Sequence, residues 1–272
     1  MRLSELGELG LLAELQRRGL AQRITNDAAE LGDGRIITQD ALVENVHFRR
    51  EWISWRDLGY RAAAVNLSDL AASGAEAEGL IVSFGAPAET ELEDVLKLYE
   101  GMRETGVPVV GGDTTAADIV YLSVTAVGRA DRVPGRGGAQ PGDLIVVTGS
   151  LGGSGAAFRE QRFIRPPIRL DEGRELARTA HAMLDISDGL EQDLTHMAER
   201  SGVHCVVELE RVPLAEGAMI EDLGFGEDYE LLAAVPEEAF HVIGRCEEGE
   251  GVELLRYGVP LELGGWDHYR QR

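Results

Sequence analysis

Gly106 to Thr115 reads GVPVVGGDTT. A buried-type apolar run ending in Gly-Gly-Asp predicts a strand over 107–112. The glycines let the backbone come close to a ligand, and Asp113 sets a carboxylate beside open amides. Working outward, the same unit recurs. RIIT (35–38) reads as a strand ending at Asp40, and LIVSFGA (80–86) as a strand ending at Pro87. IVYLSVTAVG (119–128), LIVVTG (144–149), MLDIS, HCVVEL and EDYELLAAV read as further strands. Between them, helical spacing of apolar residues predicts helices over the first 20 residues, 54–73, 89–105, 171–182, 188–201 and near 237–245. Alternating helices and strands define an α/β (or α+β) protein. Residues 131–143, DRVPGRGGAQPGD, are rich in Gly, Pro and Arg and mark a boundary. The expected division is an N-terminal domain over 1–136 and a C-terminal domain over 137–272.

Composition narrows the function. The chain has 272 residues, of which 44% are hydrophobic, enough for two buried cores. Acidic residues number 48 against 26 basic ones, a net charge of -22. That charge argues against nucleic acid and anionic membranes as partners, since both are polyanions. No apolar run approaches the roughly 18 residues of a membrane span, and the N-terminus mixes charge into every turn, unlike a signal peptide. Lys97 is the only lysine, so a P-loop or Schiff-base lysine is not expected. Cys205 and Cys246 fit neither a metal spacing nor a disulfide framework, which suits a reducing cytoplasm.

The informative carboxylates sit at element ends or beside Gly, Ser and Thr, where ligand-binding residues gather. They are Asp27, Asp40, Asp69, Asp113, Asp185, Asp188 and Glu227. Carboxylates that converge without basic partners need a cation to stay ionised. An oxygen-only donor set with no His/Cys cluster favours Mg²⁺ over Zn²⁺. Other signals are weaker. TGSLGGSGAAF (148–158) resembles a phosphate-cradling loop but lacks the P-loop Gly-Lys ending, so tight packing is the favoured reading. Ser150, Ser154 and Ser187 have no nucleophile-elbow context. Arg159, Arg162, Arg165, Arg169, Arg174 and Arg178 suit a solvated helix face. Residues 201–250 hold 13 acidic and two basic residues, and EEGEGVE reads as a solvated loop.

Taken in order, NDAAEL, TQDALVENVHF, AAVNLSDLAASGA, GVPVVGGDTT, GRGGAQPGD, VTGSLGGSGAA, LDISDGL, GEDYEL and GWDHY resemble the thiamine-monophosphate kinase family. That family belongs to the superfamily of aminoimidazole ribonucleotide synthetase. The resemblance implies transfer of the γ-phosphoryl group of ATP to thiamine monophosphate. It implies Mg²⁺ held by Asp27, Asp40, Asp69, Asp113, Asp185 and Asp188, assisted by Thr38 and the Gln39 position. Asp113 and Asp188 are the expected catalytic carboxylates. Tyr99, Gly112, Arg136 and Ser187 match ATP-contacting positions, and His47, Glu227 and Trp266 match positions at the thiamine phosphate. The implied fold is PurM-like. Its N-terminal, mostly antiparallel sheet with helices closes a barrel across a homodimer, and its C-terminal domain is an α/β sandwich. The active site is expected between the domains.

This sequence departs from the family in places. Asn26 stands where an Asp is usual, Gln39 where Thr or Ser precedes the metal Asp, and Gly153 where an Asp is frequent. The second domain is shortened around 156–170 and 210–227. These changes define the alternative, a weakened or inactive nucleotide-binding homologue. A sister enzyme of the superfamily is a further alternative. Against it, a selenophosphate synthetase would need a Cys near a glycine-rich loop, and a hydrogenase maturation factor a C-terminal Cys.

Overall fold

The structure, a computed structural model, describes residues 2–22, 26–237 and 240–266. Helix α1 (Leu3–Arg17) is kinked at Gly7 and precedes the hairpin β1 (Ala29–Gly32) and β2 (Arg35–Val43). Then follow α2 (Trp55–Ala72), β3 (Glu76–Ala86), α3 (Leu92–Arg103), β4 (Val109–Ala116) and β5 (Tyr121–Arg129). Beyond the Gly/Pro-rich connector come β6 (Leu144–Val147), α4 (Gly153–Arg159), α5 (Leu170–Leu176), β7 (Ala182–Asp185) and α6 (Leu190–Ser201). The chain continues with β8 (His204–Glu208), β9 (Leu231–Val235), β10 (His241–Glu247), β11 (Gly251–Arg256) and the short β12 (Val259–Pro260).

The first sheet has the order β1-β2-β5-β3-β4. It is antiparallel except for the parallel β3/β4 pair. It does not close on itself, and β4 is an exposed edge. The second sheet runs β12-β11-β8-β10-β6-β9-β7 and is antiparallel except for β8/β11. This is the two-domain, mixed α/β architecture that the motifs imply, with no barrel inside one chain.

Helix α2 joins the two halves. Ser54 caps it, accepting a hydrogen bond from the N–H of Asp57 at 3.0 Å. Its segment RAAAVNLSDLAA is apolar around most of its circumference, the mark of a helix buried on several sides. One side packs with Leu58, Ala62, Leu67 and Leu70 into the first core under β2, β3 and β5. The other lays Ala71 and Ala72 against Val146, Met183 and Ala233 of the second sheet. The small side chains permit this close approach from both sides. On a third side, Gly59 meets α3 so tightly that a Cβ would lie 1.8 Å from the carbonyl oxygen of Leu98. A separate core behind the second sheet packs α6 on β6, β7 and β8.

Several elements differ from the reading of the sequence. Residues 241–247 form β10 rather than a helix, because they pair with both β6 and β8. EEGEGVE is half strand, since β11 begins at Gly251. Asp40 and Asp113 lie inside strands, not at their ends. Strand β4 is exposed along nearly its whole length rather than buried. The helix expected over 171–182 stops at Leu176.

Candidate active site

The site is built where α2, β2, the Asn26–Asp27 turn, the Arg136 connector and the β7–α6 loop meet. The carboxylates of Asp27, Asp69 and Asp185 lie within 4.8 Å of one another. Asp40 adds its charge to both Asp69 and Asp185. Strand β2 points Thr38 and Asp40 inward, the hydroxyl of Thr38 donating to Asp69. Helix α2 contributes Asn66, Ser68 and Asp69 from a single turn. Buried Asn66 accepts the backbone N–H of Asp40 at 2.9 Å, fastening strand to helix. Ser68 donates its hydroxyl to Asp185.

A guanidinium stands beside these carboxylates. Arg136 donates to Asp27 through Nε at 2.8 Å and through its Nη2 at 2.5 Å. Asn26 accepts the backbone N–H of Arg136 at 3.2 Å, so its amide braces the connector. Burial, then the neighbouring Asp40, Asp185 and Asp27, push the Asp69 carboxyl well above its usual range. Burial and then Asp27 push Asp185 up to about 7. Crowded carboxylates that resist ionisation, with hydroxyl oxygens beside them, fit a hard divalent cation such as Mg²⁺.

The second half of the site rests on the β7–α6 loop. The carbonyl of Ser187 accepts the N–H of Glu227 at 2.8 Å, and that of Asp188 accepts the N–H of Trp266 at 3.1 Å. Gln192 also donates to the Trp266 carbonyl at 2.8 Å. One loop therefore brings Ser187, Asp188, Glu227 and Trp266 together. Glu227 and Tyr229 both take positive φ, 58° and 53°, an unfavourable conformation for such residues. Glu227 is aimed by Arg61, whose buried guanidinium pairs with it and donates to the backbone carbonyl of His47 at 2.7 Å. His47 in turn accepts the N–H of Val43 on Nδ1 at 3.0 Å, which assigns the proton to Nε2. So His47 and Glu227, far apart in sequence, are clamped to one side chain of α2.

The glycine loop has its own anion. Asp228 accepts the N–H of Gly152 at 2.7 Å and reaches that of Ser154 at 3.5 Å. The start of α4 is thus filled by the protein's own carboxylate, in line with the packing reading of TGSLGGSGAAF. The arginine segment is largely paired as well. Arg159 binds Asp222, Arg165 binds Asp57 and Glu104, and Arg169 binds Glu230.

Four expected residues, Gln39, Gly112, Asp113 and Tyr99, lie elsewhere. Gln39 points to the outer face of the first sheet, where it bonds Ser123 at 2.9 Å and Thr125 at 3.2 Å. The period of two along β2 sends 38 and 40 inward and 39 outward. Asp113 pairs in register with Ser83 and is exposed on that same outer face, apart from the Asp27 group. Gly112 precedes it at φ 151°, where a Cβ would lie 1.9 Å from the carbonyl oxygen of Val82. Tyr99 is half-buried on α3 and packs on the first core. Asp188 lies with Asp193 and His196 of α6, their ligand atoms within 4.8 Å.

The reading of the sequence missed Arg61, Asn66, Ser68 and Asp228. Asn66 and Ser68 sit inside the quoted AVNLSDLAA, so a helical wheel carries their signal. Arg61 is the one charge within the stretch 58–68 of α2, a weak signal that only the distant Glu227 explains.

Fold and site together define a two-domain protein of the AIR synthase related class. Residues 25–130 match the AIR synthase related protein N-terminal domain, and residues 140–254 the C-terminal domain. Thiamine-monophosphate kinase of Aquifex aeolicus is 34% identical, the match covering 99% of this chain and all of that protein. The Mycobacterium tuberculosis enzyme is also 34% identical over 98% of this chain and 93% of its own. The solved structure of AaThiL complexed with AMPPCP and TMP superposes with a TM-score of 0.90 at 34% identity, covering 98% of this chain and 99% of that one. The chain belongs to the thiamine-monophosphate kinase family.

Proposed function

We propose that this kinase phosphorylates thiamine monophosphate to thiamine diphosphate with ATP, by direct in-line transfer that requires Mg²⁺. The observation that carries the metal is the convergence of Asp27, Asp69 and Asp185, whose carboxylate oxygens lie within 4.8 Å of one another, with Asp40 beside them. The substrates are supported by the likeness to AaThiL, solved with AMPPCP, an ATP analogue, and TMP.

Asp27, Asp40, Asp69, Asp185 and Asp188, with Thr38, are the residues to hold the cation. Bound Mg²⁺ supplies charge neutralisation for phosphates that the bare carboxylates would repel. The acceptor phosphate is already anionic near neutral pH, so no side chain need take its proton. The work left to the protein is positioning. Arg61 fixes Glu227 and the His47 backbone for the thiamine end. Trp266 offers a half-exposed ring to the cationic thiazolium. Ser187, Gly112, Arg136 and Tyr99 are assigned to ATP, and Asp113 to the phosphates from the edge strand β4. The 1–136 and 137–272 units, a homodimer through the first sheet and a cytoplasmic setting complete the reading.

The test is turnover. Purified protein with ATP, thiamine monophosphate and Mg²⁺ is expected to form thiamine diphosphate. Chelation is expected to abolish this, and added Mg²⁺ to restore it. Turnover that survives chelation would remove the metal. ATP binding without turnover would favour the weakened homologue.

A further inference from the structure

Cys205 on β8 and Cys246 on β10 are far apart in sequence, and the antiparallel register sets them directly opposite each other. Their Sγ atoms are 4.0 Å apart, and both are buried free thiols. The backbone of Cys246 faces away from β8. Its N–H donates to the carbonyl of Asp143 at 2.8 Å, and its carbonyl accepts the N–H of Gly142 at 2.8 Å. Both polar groups of a strand residue point to the same side, so Cys246 and Cys205 form a non-hydrogen-bonded pair. Such pairs hold their Cα atoms about 4.5 Å apart, within the roughly 4.4–6.8 Å that a disulfide spans. Side-chain rotation suffices to close the remaining gap.

We propose that Cys205 and Cys246 are an oxidation site, a dithiol that closes into a cross-strand disulfide on reaction with a small-molecule disulfide of the glutathione type. Cys205 is the first nucleophile, its pKa lowered by the hydrogen-bonding contact with Cys246, in which either thiol can donate. The same hydrogen bond, and then burial, push Cys246 up. The Cys205 thiolate attacks one sulfur of the reagent, forming a mixed disulfide and releasing one small thiol. The Cys246 sulfur then attacks the Cys205 sulfur, breaks the mixed disulfide and releases the second small thiol. Two protein thiols and one disulfide become one protein disulfide and two thiols, the two protons passing to the released thiols. Entry is from the end of the sheet. Cys246 lies next to the exposed turn 248–250, and Cys205 follows the exposed Gly202. Local opening of that end admits the reagent.

The bond would tie β8 to β10 across a long loop and restrict the unfolded chain. Reduced full-length protein is incubated with excess oxidised glutathione, denatured, alkylated with N-ethylmaleimide and weighed intact. The expected species is two hydrogens lighter, takes no maleimide and melts roughly 5 °C higher. Dithiothreitol is expected to reverse both changes, and Cys205→Ala and Cys246→Ala each to prevent them. Addition of two maleimides, a persistent glutathione adduct or a disulfide between two chains would overturn the proposal. So would an internally bridged species that melts no higher.

Discussion

Asp69 shows why one residue can serve activity and oppose stability. Its neighbours Asp40, Asp185 and Asp27 push its carboxyl up, after burial. Asp69→Asn removes one like charge from the group while Thr38 retains an acceptor. Turnover is expected to fall about 100-fold or more, while the metal-free protein melts a few degrees higher. A variant that loses both activity and stability would argue for a purely structural Asp69. Arg61 is a positioning residue, and Arg61→Lys keeps the charge but not the fork that reaches both Glu227 and His47. Its KM for thiamine monophosphate is expected to rise about 10-fold with a smaller change in kcat; an unchanged KM would detach Glu227 from the substrate. Asp228 titrates in the opposite sense to a salt-bridged carboxylate. Burial raises it from 3.8 to about 7. The folded state therefore binds the proton more tightly, so its contribution is full below 3.8 and lost as pH rises through 7. Asp228→Asn keeps an acceptor for Gly152 and removes the titration. The melting temperature of the wild type minus that of this variant should decline between about pH 4 and about pH 7; a flat difference would contradict the raised value. At this scale the sequence was informative about Asp27, Asp69 and Asp185, which the fold brings together with Asp40 beside them. It was silent about Arg61 and Asp228, whose partners are set by three-dimensional proximity.

Helix α2 and strand β4 carry the lesson at the scale of elements. The helix was legible in its extent, because the apolar period persists and Ser54 caps it. Its burial from both sheets was not, since periodicity gives one face and the second sheet approaches through alanines. Strand β10 was misread because HVIGRCE is short and its apolar residues suit either period; two flanking strands decided the matter. In β4 the strand itself was legible, although it continues through Asp113 instead of stopping there. Gly112 is fixed by its contact with Val82, not by a ligand alone. Gly112→Ala would force a Cβ into the carbonyl oxygen of Val82 and strain φ as well. The expected cost is on the order of 3 kcal/mol, read as a lower denaturation midpoint with faster amide exchange in β3 and β4. A midpoint within error of the wild type would show that β4 shifts freely.

Across the whole molecule, the open first sheet and the charge pull against each other. Strand β4 is the last strand of its sheet, with no further strand on its edge among the described residues, and has Val110 64% exposed, with Ile81 42% exposed on the neighbouring strand. An apolar edge of this kind is a pairing template unless something covers it. A second copy of the chain does so in the proposed homodimer. Each copy, however, carries -22, most of it outside the site, and like charges repel across the interface until salt screens them. Two properties of the assembly are therefore coupled. In roughly 0.15 M salt, where the screening length is about 8 Å, light scattering is expected to give twice the 29.5 kDa chain mass. In roughly 0.01 M salt, where it is about 30 Å, the dimer is expected to dissociate at higher protein concentration. Val110→Glu places a further negative charge on the edge and is expected to yield the single-chain mass under both conditions. A wild-type mass of one chain at moderate salt would refute the dimer. A dimer indifferent to both salt and Val110→Glu would place its interface away from β4.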